Sequence, residues 1–232
     1  RGGVVSMDML TLNGPTGAIG RIGDGELVLG SYGGGSKVLT ITGGGRTVLN
    51  MGALAAVGTK FIVEGGSTLA GPGPAPLSGA TELELAGGTF ELDGAADLTG
   101  VTTTVVMAPA IPGIPAALGV PEVPEIPSAP SASVLNTNTN STFGELSFIG
   151  DGVVTTTGAA TQVSFTQTSV AAGVTGGIVA DAQTVDAGPI VVSDGGVFVG
   201  GTTNGGTLNY TDLTLADANG GIGAVADQTV TI

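Results

Sequence analysis

The sequence contains no cysteine, no histidine and no tryptophan. Without thiols and imidazoles, Ser-His-Asp triads, cysteine nucleophiles and zinc sites have nothing to be built from. Disulfides are excluded too, but a stacked fold does not depend on them, so the redox compartment stays open. Positive charge is scarce: five Lys and Arg stand against 19 Asp and Glu, for a net charge of −14. Nucleic acid needs a basic footprint and is excluded as a partner. Anionic membrane surfaces are excluded on the same ground. No apolar run has the length of a membrane-spanning helix. Aromatic residues are few, six Phe and two Tyr. The core must therefore be built of Val, Ile, Leu, Ala and Thr, thin residues that suit stacked strands ~4.8 Å apart. Disorder is not expected, because 41% of the residues are hydrophobic and only 10% are charged.

What the sequence has in excess is glycine, 44 of 232 residues. It lacks the G-X-Y period of collagen. Three segments explain where the glycine goes: VLTITGG from Val38, KFIVEGG from Lys60 and ELELAGG from Glu82. Their spacing is 22 residues. Each is a short alternating strand that runs into a Gly-Gly corner, and a second short strand follows, from Arg46, Ser67 and Thr89. A strand-only unit at a fixed period of 20 to 30 residues predicts a stacked-repeat fold. The expected class is all-β, a parallel β-solenoid with Gly-Gly corners. Two β-sandwich domains are the alternative.

The chain divides into three parts. Residues 1–107 read as a β-rich lobe with 22-residue rungs, opened by one strand over Val4–Leu12 and holding at most a short helical turn at Ala53–Val57. Residues 108–142 form an interruption. Pro recurs in one phase of three at 109, 112, 115, 121, 124, 127 and 130, and each repeat has the form x-φ-Pro. Polyproline II has three residues per turn, so Ile111, Ile114, Val120, Val123 and Ile126 would line one face of a rod roughly 70 Å long. That stripe is the candidate assembly surface, docked on this chain or a neighbour; a plain extended linker is the simpler reading. The Ser, Thr and Asn of 131–142 read as a loop. Residues 143–232 read as a second β-rich lobe with Gly-Gly corners at 176, 195, 200, 205 and 220.

The chemistry left to this composition is that of oxygen ligands. Asp24, Asp151 and Asp194 lie in Gly-rich turns, as do Asp212 and Asp217. Calcium is the one metal such residues suit, and Asp24, Asp151 and Asp194 are its candidate ligands. Turn chemistry accounts for Asp-Gly equally well. Glu82, Glu84, Glu91 and Asp93 read as the polar side of strands rather than as a catalytic pair. No catalytic residues and no other cofactor are expected, and the chain reads as a non-enzyme. Asn140 and Asn209 open N-glycosylation sequons. Because the sequence begins with Arg1, it is expected to be a processed product or a piece of a longer polypeptide.

The units GGSTLAG from Gly65, GGTFELDG from Gly87 and GGTLNY from Gly205 resemble the autotransporter-associated β-strand repeats of bacterial surface and secreted proteins. The resemblance implies a β-helix displayed at the cell surface or secreted. It also implies copies of the chain or neighbouring surface proteins as partners. The expected function is then that of a subunit of a fibre, surface layer or matrix. It would assemble through exposed β edges and the Pro-rich segment. An adhesin or carbohydrate-binding module is the alternative, with glycans as ligands and Tyr32 and Tyr210 as the tyrosines available for ring stacking.

Overall fold

A computed structural model describes residues 4–7, 10–12, 16–20, 26–29, 32–34, 38–49, 59–71, 77, 79–94, 97–109, 128–216 and 219–224. The chain begins with β1 (Val4–Met7), β2 (Leu10–Leu12) and β3 (Thr16–Gly20), then β4 (Glu26–Leu29), β5 (Tyr32–Gly34) and β6 (Val38–Thr42). It continues through β7 (Gly45–Leu49), β8 (Lys60–Glu64), β9 (Ser67–Gly71), β10 (Glu82–Ala86), β11 (Thr89–Leu92), β12 (Asp97–Leu98) and β13 (Thr102–Val105). After the Pro-rich segment come β14 (Ser131–Thr137), β15 (Ser141–Phe148), β16 (Gly152–Thr157), β17 (Gln162–Val170) and β18 (Thr175–Asp181). The last strands are β19 (Thr184–Asp186), β20 (Ile190–Val192), β21 (Val197–Thr203), β22 (Thr207–Asn209), β23 (Leu213–Leu215) and β24 (Gly221–Ala224).

These strands make a β-solenoid. Each coil contributes one strand to a ten-stranded sheet, in the order β1-β4-β7-β9-β11-β14-β16-β18-β21-β24. A 12-stranded sheet holds the others, except β2 and β5, which pair separately. All these pairings are parallel, and no helix occurs among the described residues. The sandwich alternative, which needs antiparallel sheets, is thereby set aside. The 22-residue spacing is the register itself: Val38 pairs with Lys60, and Lys60 with Glu82.

Alternation then builds the core. Along β6, β8 and β10 every second residue is buried. Leu39, Phe61, Leu83, Thr103, Leu146, Thr168 and Ile190 stack in one inward column. Ile41, Val63, Leu85, Val105, Phe148, Val170 and Val192 form the next. Each residue of such a column packs on its equivalents one rung away. The core is not limited to the thin residues expected from composition, because all six Phe are buried in it, where their large apolar area leaves water.

The Gly-Gly corner has two requirements. Gly87 has φ +85°, the left-handed region that side-chain-bearing residues avoid. At Gly88 a Cβ would lie 2.5 Å from Val63 Cγ1 and 2.6 Å from its carbonyl oxygen, so the rung below leaves no room for one. Buried serines finish these corners. Ser67 Oγ accepts the Gly44 N–H at 3.1 Å, and Ser133 Oγ accepts the Gly87 N–H at 3.1 Å.

Three sequence expectations about individual segments change. Val4–Leu12 is not one strand: β1 joins the ten-stranded sheet and β2 pairs with β5, because a short coil has to bend within that length. Residues 131–142, expected as a loop, hold β14 and the start of β15, with Ser131, Ser133, Leu135 and Thr137 buried in alternation. Gly176 and Gly200 lie within β18 and β21 rather than at corners. Ala53–Val57 falls outside the described residues.

Candidate functional site

The Asp and Asn side chains at the corners tie one rung to the next. Asp151 Oδ1 accepts the Thr175 N–H at 2.7 Å. Asn219 Nδ2 donates to Asp194 Oδ1 at 3.0 Å. Asn138 Nδ2 donates to Asp93 at 2.5 Å, and Asn138 Oδ1 accepts from the Ala159 N–H at 3.2 Å. Asn140 Oδ1 accepts from the N–H groups of Thr161 and Gln162, each at 3.0 Å. Asp181 binds Thr203 and Asn204, while Asp186 binds Gln162 and Asn209.

Of the proposed calcium ligands, Asp24 falls outside the described residues. Asp151 and Asp194 stand on the same line of corners but on different rungs. The corner between them pairs with both, through Thr175 N–H to Asp151 and Gly173 N–H to the Asp194 carbonyl at 2.9 Å. Among the described residues no three His, Cys, Asp or Glu side chains converge.

The outward carboxylates of the first coils surround two cations. Lys60 Nζ lies 3.1 Å from Glu82 and also contacts Glu84. Arg46 bridges Glu26 and Glu91, each at 2.7 Å. Partial burial pulls the pKa of Lys60 down, but hydrogen bonds and charge from Glu84 and Glu82 outweigh it and hold the amine above its ordinary value. The same balance holds Arg46 above its ordinary value, with burial opposed by Glu91 and Glu26.

The assembly candidates Ile111, Ile114, Val120, Val123 and Ile126 fall outside the described residues. Their anchor points are described. Ala108 and Ala129 form an antiparallel bridge, so the two ends of the Pro-rich segment are held together at one place. The ladder is continuous past this neck, since β11 pairs with β14 and β13 with β15.

Two further features were not read in the sequence. The first is the outer face of the ten-stranded sheet from β14 to β21. Alternation turns Val134, Val153, Thr155, Val179, Val197 and Val199 outward there, all half-buried. The only outward charge on these four strands is Asp181, at the margin. The earlier strands of the same face carry Glu26, Arg46 and Glu91. The second is a groove of about 510 Å³ lined by Phe165, Asp186, Pro189, Asn209 and Tyr210 among others. The face was legible as alternating Val and Thr once the strands were in register. The groove had no such signal, because its walls come from three different coils.

Fold and surface together define a parallel β-solenoid whose outer face from β14 to β21 carries a single charge, Asp181 at its margin. No protein family, no curated protein and no solved structure matches the chain.

Proposed function

We propose that this chain is a non-enzymatic structural protein, a subunit of a fibre, surface layer or matrix outside a bacterial cell, and that its partner is another copy of itself. The observation that carries this reading is the nearly uncharged outer face between β14 and β21. In a chain of net charge −14, a flat β surface of Val, Thr, Ala and Gly is the place where two copies approach with least repulsion. Sheets pack face to face ~10 Å apart with interdigitating side chains, and this face presents the short side chains that such packing needs.

The area is that of a modest contact. Four strands at ~4.8 Å spacing and about seven residues of ~3.3 Å give roughly 440 Å² per copy. Two copies bury roughly 900 Å², the size of a weak interface whose occupancy depends on concentration. The extracellular setting rests on the likeness of the Gly65, Gly87 and Gly205 units to autotransporter-associated repeats.

The test is sedimentation velocity over a range of concentrations with electron microscopy of the same material. Oligomers or filaments are expected, and the double change Val179→Lys with Val199→Lys should shift the population to monomer without altering the far-ultraviolet spectrum. A parent chain that stays monomeric at every concentration overturns the proposal.

A further inference from the structure

An aromatic ladder runs up the inside of the solenoid and stops one rung short of its last member. Phe90 and Phe143 meet edge to face with centroids 6.5 Å apart. Phe143 and Phe165 are paired in register, with rings tilted by 31° and centroids 5.5 Å apart. The next rung places Asp186 over Ser164, and so Ala187 over Phe165. The rung after that places Asn209 over Asp186, and so Tyr210 over Ala187. Ala187 donates its N–H to the Asn209 carbonyl at 2.8 Å, which fixes the alignment. One position of the column therefore holds a methyl group between two rings.

The groove described above lies beside this column; Phe165 and Tyr210 line it, while Ala187 between them is fully buried. Pro189 stands at its rim, and Asp186 and Asn209 add a carboxylate and an amide. These two polar groups are held in place. Asn209 Nδ2 donates to Asp186 Oδ1 at 3.0 Å, and Gln162 Nε2 donates to Asp186 Oδ2 at 2.5 Å. A carboxylate has about four acceptor positions, so Asp186 retains capacity for a ligand hydroxyl. Gly188 keeps the backbone close, because a Cβ there would lie 2.8 Å from the Phe165 carbonyl oxygen.

We propose that this groove binds a neutral sugar ring, one unit of a hexose polymer. The apolar face of a pyranose packs against Tyr210 and Pro189, and its hydroxyl groups bond to Asp186 and Asn209. The charge selects neutral sugars. The groove lining holds no cation, and all five basic residues of the chain precede residue 61, so acidic sugars are repelled. The volume lies within the ~300–1,000 Å³ of small-ligand sites. A sugar site on this edge is separate from the nearly uncharged face, so one subunit can hold both a copy of itself and a polysaccharide.

The experiment is titration of the whole chain with cellohexaose, mannohexaose and galactohexaose, with oligogalacturonate as the acidic control, read by amide chemical shifts and calorimetry. At least one neutral oligomer is expected to bind and the acidic control not to bind. Tyr210→Ala should weaken binding by about tenfold or more, Tyr210→Phe should leave it within about twofold, and Asp186→Asn should weaken it severalfold. Pro189→Ala gives a second reduction at an exposed position should Tyr210→Ala fail to fold. The Val179→Lys, Val199→Lys chain should bind sugar normally, which separates this site from assembly. Failure of all three neutral oligomers to bind at millimolar concentration, or undiminished binding by the folded Tyr210→Ala or Pro189→Ala chain, overturns the proposal.

Discussion

Ala108 and Ala129 exchange backbone hydrogen bonds of 2.9 and 3.3 Å at the base of the Pro-rich segment, in an antiparallel bridge within a stack whose strand pairs are parallel. The bridge makes the segment an insertion into one coil. Replacing residues 110–127 by Gly-Gly should therefore leave the ladder from β11 to β14 and from β13 to β15 in place. Shortening a closed loop from about 20 residues to about four returns roughly 1 kcal/mol of closure entropy, so the melting temperature should hold or rise by a few degrees. Circular dichroism checks this. The same deletion should lower assembly if Ile111, Ile114, Val120, Val123 and Ile126 contact a neighbour. Unchanged sedimentation would remove them from the interface.

Gly176 and Gly173 separate the two uses of glycine in this chain. At Gly176, inside β18, an added Cβ would sit 2.4 Å from Cγ of the fully buried Phe148. At Gly173, a corner with φ +69°, there is open space around the same atom. Gly176→Ala must displace a core ring and should cost about 3 kcal/mol. Gly173→Ala carries only backbone strain, about 1 kcal/mol. Urea unfolding of the two variants measures the difference, and equal losses would contradict the account of Gly176 as a packing position.

The same contrast explains how much the sequence revealed. The rungs from Val38, Lys60 and Glu82 were legible because alternation and the Gly-Gly pair recur together, and each feature checks the other. In the later coils that agreement fails. Gly176 is placed by Phe148, 28 residues away in sequence, and Gly200 by Leu208 on the strand after its own, contacts that carry no repeat signal. Residues 131–142 read as a loop because their Ser, Thr and Asn are polar, yet Ser133 and Thr137 face the interior and Asn138 and Asn140 bond to adjacent coils. A solenoid accepts buried hydroxyl groups at repeated positions, and composition cannot distinguish them from solvated ones. The groove beside Tyr210 draws its lining from three coils, around Phe165, Asp186 and Tyr210, a grouping that exists only once the register is known.

Gln183 offers a test of the corner ties. It is 1% exposed, and its amide Nε2 donates to the carbonyls of Thr157 and Thr137 at 2.8 and 3.3 Å, linking three coils. Gln183→Ala leaves those carbonyls without this donor and opens a cavity, for an expected loss of about 2–4 kcal/mol. Gln183→Met keeps the volume, removes the Nε2 hydrogen bonds and also removes the buried Oε1, which has no hydrogen-bond partner, so it should lose less than half as much. Equal stability of the Met variant and the parent would show that the side chain serves as filler alone.

Lys60 gives the stack an alkaline limit. Burial favours the neutral amine, but Glu84 and Glu82 overcome that and raise its pKa above the ordinary 10.5. A group whose pKa is raised on folding adds stability in full below its unfolded value and loses it as pH climbs through the folded one. The contribution of Lys60 should therefore be constant from neutral pH to about pH 10 and fade above that. Lys60→Met removes two half-exposed ion pairs and leaves Glu82 and Glu84 facing each other without a cation, a loss of about 1 kcal/mol or 2–4 °C in melting temperature. Melting curves of both chains between pH 7 and about pH 12 provide the measurement. The two chains differ at this one residue, so the difference between the curves isolates Lys60. The gap should close as pH climbs through the raised pKa of Lys60, and a gap that persists undiminished would mean that Lys60 stabilises the stack by packing its aliphatic stem rather than by its charge.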